Sequence, residues 1–215
     1  MRKLFEIAIA EGIRFTDPTK GIKRLRQNQK DLSSRLPSSE EFKAWVTAIR
    51  SAGGRFSQHC ADFVEFLAYS GVRVGEAKHI LWQHCDFKSG EILITGDPIH
   101  ATKNHEIRRV PMIDSMIKLL NRMKTRLSEP DPEKPVCQVN EAQKAMDRAG
   151  KEVKIPRITH HDLRHLFATT CIESGIDFLT LAQWLGHKDK GALAMRVYGH
   201  LRNQHSLEAA RKVRF

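Results

Sequence analysis

The stretch Thr159-His160-His161-Asp162-Leu163-Arg164-His165-Leu166-Phe167-Ala168-Thr169 constrains this chain more than any other. Thr159 is a good helix N-cap, and Asp162 falls where a capping box places its acid. Leu163, Leu166, Phe167 and Cys171 recur at helical spacing and bury one stripe. His161 and Arg164 stand three apart, so they share a face and reach into one site. An imidazole beside a guanidinium at the edge of a buried helix suits an oxyanion or phosphate clamp. Taken alone, the stretch reads better as a basic, solvated helix shoulder. The rest of the chain decides between the two.

With 36 Lys and Arg against 25 Asp and Glu, the formal net charge is +11. That excess points to a polyanionic partner, most simply nucleic acid. A membrane surface is the other option, but no apolar run approaches the ~18 residues a spanning helix needs. The apolar patch near the N-terminus is interrupted by Glu6 and Glu11, unlike a secretory signal. Cys60, Cys85, Cys137 and Cys171 are far apart with no C-x-x-C pair, and read as reduced thiols of a cytoplasmic protein. His59-Cys60 and His84-Cys85 lack a second ligand pair at finger spacing, so neither metal nor cofactor is expected.

A chain of 215 residues suits one full domain plus a short appendage. Residues 1–11 read as a short amphipathic helix ended by Gly12. Residues 16–36 are polar and basic, with turn signals at Asp17-Pro18 and Lys20-Gly21, and read as a linker. The main domain starts at Pro37. A capping box at Ser38 and Glu41 leads a helix with Phe42, Trp45, Val46 and Ile49 inward. Gly53-Gly54 breaks the chain, and a second helix carries Cys60, Phe63, Val64 and Leu67 up to a stop at Gly71. A short helix over 72–81 contains Arg73 and Glu76. Residues 91–95 and 105–111 read as a hairpin around the loop 96–104, with Arg108 and Arg109 flanking the sheet. Asp114 is expected to cap a helix with Ile117, Leu120 and Met123 inward. Pro130, Pro132 and Pro135 mark an exposed connection. A helix over 140–149 is expected to end at Gly150. Asp177 caps 178–185, which Gly186 stops, and two short helices are expected at 192–198 and 206–213. The expected fold class is α+β, mainly α-helical, with one small antiparallel β-sheet.

Four further places match the organising helix in chemistry. Tyr69-Ser70-Gly71-Val72-Arg73-Val74-Gly75-Glu76 sets an Arg just past a glycine turn. Thr102-Lys103-Asn104 lies in the hairpin loop, Leu185-Gly186-His187 ends a helix, and Tyr198 lies in Arg196-Val197-Tyr198-Gly199-His200. In this order these residues resemble the catalytic domain of the tyrosine recombinases, the phage integrase family, from Pro37 to the C-terminus. The opening helix, Asp17-Pro18 and Leu36-Pro37-Ser38-Ser39-Glu40-Glu41 look like the end of that family's core-binding domain running into its catalytic domain. By this resemblance 1–36 is the end of a truncated core-binding domain with its linker. Residues 37–215 are then the catalytic domain with a C-terminal helical tail.

The resemblance implies site-specific cutting and rejoining of DNA without metal or ATP. Arg73 and Arg164 match the cations that stabilise charge on the non-bridging oxygens, a task for guanidinium groups that never lose their protons. Lys103 matches the general acid that protonates the leaving oxygen. His161 and His187 match the positions that orient the phosphate and handle the tyrosine proton. Tyr198 matches the nucleophile that forms a covalent 3′-phosphotyrosyl intermediate. The implied partners are double-stranded DNA, further protomers in a four-protomer synaptic complex, and accessory DNA-bending proteins. Between His187 and Tyr198 the chain is about two residues longer than is usual in the family, and Gly191 is placed to absorb the extra length.

Singly, each residue has a plainer reading: Arg73 as a C-terminal helix-dipole partner, Lys103 as a loop lysine, His187 as a helix cap. Glu76 reads as structural, buttressing Arg73. Three other functions use the same features, one of them a degenerate recombinase domain that binds DNA but no longer cuts. A type IB topoisomerase-like enzyme shares the chemistry without partner exchange. A non-catalytic protein using 167–187 as a helix-turn-helix explains the charge and two helices, but not Arg73, Lys103 or Tyr198.

Overall fold

The structure, a computed structural model, describes residues 2–22, 35–96, 107–187, 191, 192 and 195. The chain divides into two compact units, Met1–Asp31 and Leu32–Phe215. The first holds α1 (Arg2–Ala10), followed by Gly12 at φ +69°. Leu4, Ile7, Ile13 and Phe15 of this unit are exposed.

In the second unit the described residues form α2 (Ser39–Arg50), α3 (Ser57–Ser70) and the single turn α4 (Val74–Ala77). A three-stranded antiparallel sheet follows, ordered β1 (Cys85–Asp86), β2 (Glu91–Ile94), β3 (Arg108–Pro111). Then come α5 (Asp114–Leu127), α6 (Gln143–Glu152), α7 (His160–Glu173) and α8 (Phe178–Leu185). The architecture is mainly helical with one small sheet, as the sequence pattern predicts.

Helix α2 begins at its expected capping box. Ser38 Oγ accepts from the Glu41 N–H at 3.2 Å while the Glu41 carboxylate accepts from the Ser38 N–H at 2.8 Å. These bonds satisfy donors that a helix start otherwise leaves orphaned. Helix α3 is the centre of the core, with Ala61, Phe63, Val64, Phe66 and Leu67 fully buried. It packs against α2, α5 and α7, and α2 packs in turn against α6. Asp62 and Glu65 on α3 are also buried. A buried carboxylate needs compensating donors. Arg50 supplies one to each, at 2.7 and 2.5 Å, and Arg122 and Arg126 approach from α5. The three helices are thus tied together by charge as well as by packing.

Several boundaries differ from the sequence expectation, each for a local reason. The helix expected over 72–81 is only α4, because the chain beyond it goes extended: Leu81 pairs with Pro135, and the Val136 N–H donates to the Ile80 carbonyl at 2.9 Å. The hairpin gains β1, with Cys85 opposite Ile92. Two residues are too few to show a period of two. Asp114 lies in the first turn of α5 with Ile113 as the cap. The buried stripe of α5 is Met116, Leu119, Leu120 and Met123, with Ile117 at its edge. Gly150 does not end α6 but sits inside it, against the indole of Trp45, whose Nε1 donates to the Met146 carbonyl at 3.0 Å. The loop 97–104, the start of the returning strand at 105–106 and the segment 206–213 lie outside the described residues, as does 192–198 apart from 192 and 195.

Helices α7 and α8 share a second cluster in which Phe167, Cys171, Ile172, Phe178, Leu181 and Leu185 are buried together. This cluster meets the end of α3 at Gly71, whose φ of +62° gives the left-handed turn that closes the helix. A Cβ there would collide with the Phe167 ring and stand 2.9 Å from Leu185 Cδ2. Left-handed strain and overpacking therefore add, and Gly71→Ala is expected to cost about 3 kcal/mol, or roughly 6–12 °C of thermal midpoint. Circular dichroism melting checks this, and an unchanged midpoint would contradict the packing described.

Candidate active site

The site is built outward from the first turn of α7. Thr159 and Asp162 cap each other: the Thr159 N–H donates to Asp162 Oδ2 at 2.8 Å, and the Asp162 N–H donates to Thr159 Oγ1 at 3.3 Å. With this turn fixed, three neighbouring side chains take different directions. His160 is structural, since its Nε2 accepts from the Ala142 N–H at 3.1 Å and its ring meets Phe63 edge-on. His161 is exposed and stands edge-on to the partly buried His165, with ring centroids 4.6 Å apart.

Arg164 is only 5% exposed. It donates through Nη1 to the Gly71 carbonyl at 2.6 Å and through Nη2 to the Leu185 carbonyl at 2.5 Å. Nη2 also lies 3.1 Å from His187 Nε2. A guanidinium can only donate, so the imidazole accepts through that nitrogen. These three contacts hold the guanidinium in place.

Arg73 stands in extended backbone as the N-cap of α4, and so at the start of a helix rather than at the C-terminal end that a dipole partner would occupy. Its N–H donates to Glu76 Oε2 at 3.0 Å and its Nη1 to Glu76 Oε1 at 2.8 Å. Glu76 is 4% exposed and takes two more bonds from Arg108, at 3.2 and 2.7 Å. Burial works against the Glu76 charge. The Arg108 hydrogen bonds and charge, then those of Arg73, outweigh it and bring the carboxyl down to about 2.

Arg108 is the residue that sequence reasoning misplaced. It does not flank the sheet: its side chain is 9% exposed, while that of Arg109 is 57% exposed and faces Glu91. Strand alternation is the reason. Val110 is buried, and Arg108, two residues earlier, shares its inward face.

The His161 and His165 imidazoles are shifted toward the neutral form. Burial lowers His161, and the charges of Arg164 and Arg73 lower it further, which also shows Arg73 and His161 sharing one field. Burial, then the His161 charge, brings His165 down to about 4. The folded chain therefore binds fewer protons here than the unfolded chain, whose imidazoles titrate near 6.5. Stability from these groups is full above that value and falls as pH drops toward about 4. Urea titrations between these limits should show a declining midpoint that flattens in His165→Gln. Equal slopes for the two proteins would contradict this arrangement.

Of the six residues singled out from sequence, the structure brings Arg73, His161, Arg164 and His187 to one place. Lys103 and Tyr198 lie outside the described residues. Gly191, expected to absorb the longer connection to Tyr198, has φ +94°, and a Cβ on it would stand 3.0 Å from the Phe178 carbonyl oxygen. Among the described residues no group of His, Cys, Asp and Glu is arranged to hold a metal ion, and no helix is long and apolar enough to cross a membrane. The described residues of the site bring guanidinium and imidazole groups together.

Known proteins resemble this chain in sequence and in fold. Residues 38–205 match the phage integrase family. The ICEBs1 integrase of Bacillus subtilis (strain 168) is 27% identical over 99% of this chain and 62% of its own length. The tyrosine recombinase XerC of Vibrio vulnificus (strain YJ016) is 27% identical over 95% of this chain and 65% of its own. The chain thus spans just under two thirds of these curated relatives. The crystal structure of XerA recombinase superposes with a TM-score of 0.60 at 24% identity, covering 84% of this chain and 66% of that one. The match covers most of the chain and every described residue of the site, and this chain belongs to the phage integrase family.

Proposed function

We propose that the chain carries the cutting and rejoining centre of a site-specific DNA recombinase or integrase. One observation carries the reading: three separate stretches, at Gly71 to Arg73, His161 to Arg164 and Leu185 to His187, are locked together by Arg164. The cluster presents guanidinium and imidazole groups beside Glu76, a carboxylate shared by two guanidinium groups. Such a set suits a phosphodiester whose non-bridging oxygens gain charge in the transition state.

In the proposed step the Tyr198 oxygen attacks phosphorus and a phosphotyrosyl bond forms at the 3′ side. The bond from phosphorus to the 5′ oxygen breaks, and that oxygen takes a proton from Lys103. Arg73 and Arg164 hold the charge on the phosphate, while His161 and His187 orient it and one of the two imidazoles receives the tyrosine proton. A phenol ionises near pH ~10, so phenolate is a good enough leaving group for a DNA 5′-hydroxyl to reverse the step. Strands are rejoined without an external energy source.

The partner proposed is double-stranded DNA, engaged by four protomers in the synaptic complex with accessory DNA-bending proteins, in the cytoplasm. Residues 1–36 are proposed to be the end of a core-binding domain with its linker, and 37–215 the catalytic domain with its helical tail. The helix-turn-helix alternative is disfavoured by Arg164, which fastens both helices of that motif to the turn before Arg73. Covalent trapping tests the proposal. Nicked duplexes spanning candidate sites are incubated with the chain and run on a denaturing gel, where a retarded protein–DNA band is expected. A duplex that is bound but yields no such band would contradict strand-cutting.

A further inference from the structure

We propose that Arg108 is a positioning residue for strand cleavage: it neutralises Glu76 so that the charge of Arg73 remains directed at the phosphate. The assignment rests on the phosphotyrosyl reading of the site.

Arg108 joins three segments that carry the proposed machinery. Its Nη1 and Nη2 hold Glu76 on α4 at 3.2 and 2.7 Å, beside Arg73. Its Nε donates to the Trp184 carbonyl at 2.7 Å, at the C-terminal end of α8, where unpaired carbonyls and the helix dipole favour a cation. Its guanidinium then lies against Gly186, where a Cβ would stand 3.1 Å from Nη1, and the next residue is His187. Arg108 also opens β3, five residues after Lys103 in the chain. One buried side chain thereby fixes α4, β3 and the turn into His187.

The charge balance gives this placement its consequence. Glu76 carries one negative charge and meets two guanidinium groups, so the trio is net positive. Among the described residues, the buried carboxylate without Arg108 has Arg73 alone to compensate it. Arg73 would be drawn fully into that pair, and its field at a nearby phosphate would be cancelled by a negative charge 2.8 Å away. A side chain that merely propped the fold would, on removal, slow cleavage of every substrate alike. A side chain that preserves the Arg73 charge matters most where the substrate is itself charged.

The experiment compares single-turnover cleavage of two nicked duplexes by the full chain. One has an ordinary phosphodiester at the scissile position, and the other a methylphosphonate, in which a neutral methyl replaces one charged oxygen. The variants are Arg108→Met and Arg108→Lys. Arg108→Met is expected to slow the phosphodiester reaction by ~10- to 100-fold, and the methylphosphonate reaction by less than ~3-fold, relative to the unaltered chain on the same duplex. Arg108→Lys keeps a cation for Glu76 and should recover at least ~10-fold of a full hundredfold loss. The ratio of the two rates within one preparation is independent of how much protein is folded, so partial unfolding does not imitate the result. Equal slowing on both duplexes, no slowing on either, or an Arg108→Lys variant as slow as Arg108→Met would overturn the assignment. An unaltered chain that cuts neither duplex would overturn the phosphotyrosyl reading itself, and this assignment with it.

Discussion

Replacing Arg164 with methionine is expected to slow strand cleavage by ~10²- to 10³-fold and to lower stability by about 3 kcal/mol. The two losses have one origin. Arg164 is buried and donates to the Gly71 and Leu185 carbonyls at 2.6 and 2.5 Å. Methionine matches the length of the side chain but donates nothing, so two buried acceptors lose their partner at ~1–3 kcal/mol each. The stem still packs, which keeps the total near the lower end of that sum. His187, 3.1 Å from the guanidinium, loses the donor that fixes its ring. Arg164→Lys separates the effects. One ammonium reaches one carbonyl, so stability should recover in part while cleavage stays low, because the planar fork is gone. Urea denaturation and single-turnover cleavage, measured together, give both numbers. An Arg164→Met variant as stable as the unaltered chain would show that the guanidinium is not the joint of the site.

Sequence periodicity and caps located most of the elements that carry this site. The Ser38–Glu41 and Thr159–Asp162 boxes, the left-handed Gly71 and the Asp177 cap were legible because each is a local motif, complete within four residues. The pairing of Arg73 with Glu76 was legible for the same reason. What depends on distant chain was not. Nothing near Gly150 says that Trp45 lies beside it, and nothing near Leu81 announces its pairing with Pro135. Asp114 resembles a cap by residue type, but the helix starts from Ile113. Arg108 is the instructive case. Its inward direction could have been inferred from Val110 by strand alternation, yet its partners Glu76 and Trp184 lie far away in sequence, so its role appears only in the fold. The family resemblance named Arg73, His161, Arg164 and His187 as a set; in the fold Arg164 lies 3.1 Å from His187, and the charges of Arg164 and Arg73 act on His161. It said nothing of how Arg164 binds the turn before Arg73 to the end of α8.

The central claim is that Tyr198 is the nucleophile, and two tyrosines make the claim unusually clean to test. Tyr69 is the only competitor. Its hydroxyl donates to Glu65 at 3.4 Å, and burial, then the Glu65 charge, pushes it up to about 12. A phenol so reluctant to ionise is a poor nucleophile. The most direct measurement is therefore to trap the covalent adduct, digest both components, and identify by mass spectrometry the peptide that keeps a nucleotide. The account predicts the nucleotide on Tyr198 alone, and complete loss of the adduct in Tyr198→Phe. A nucleotide on Tyr69 or on a serine, or an undiminished adduct in Tyr198→Phe, would contradict it.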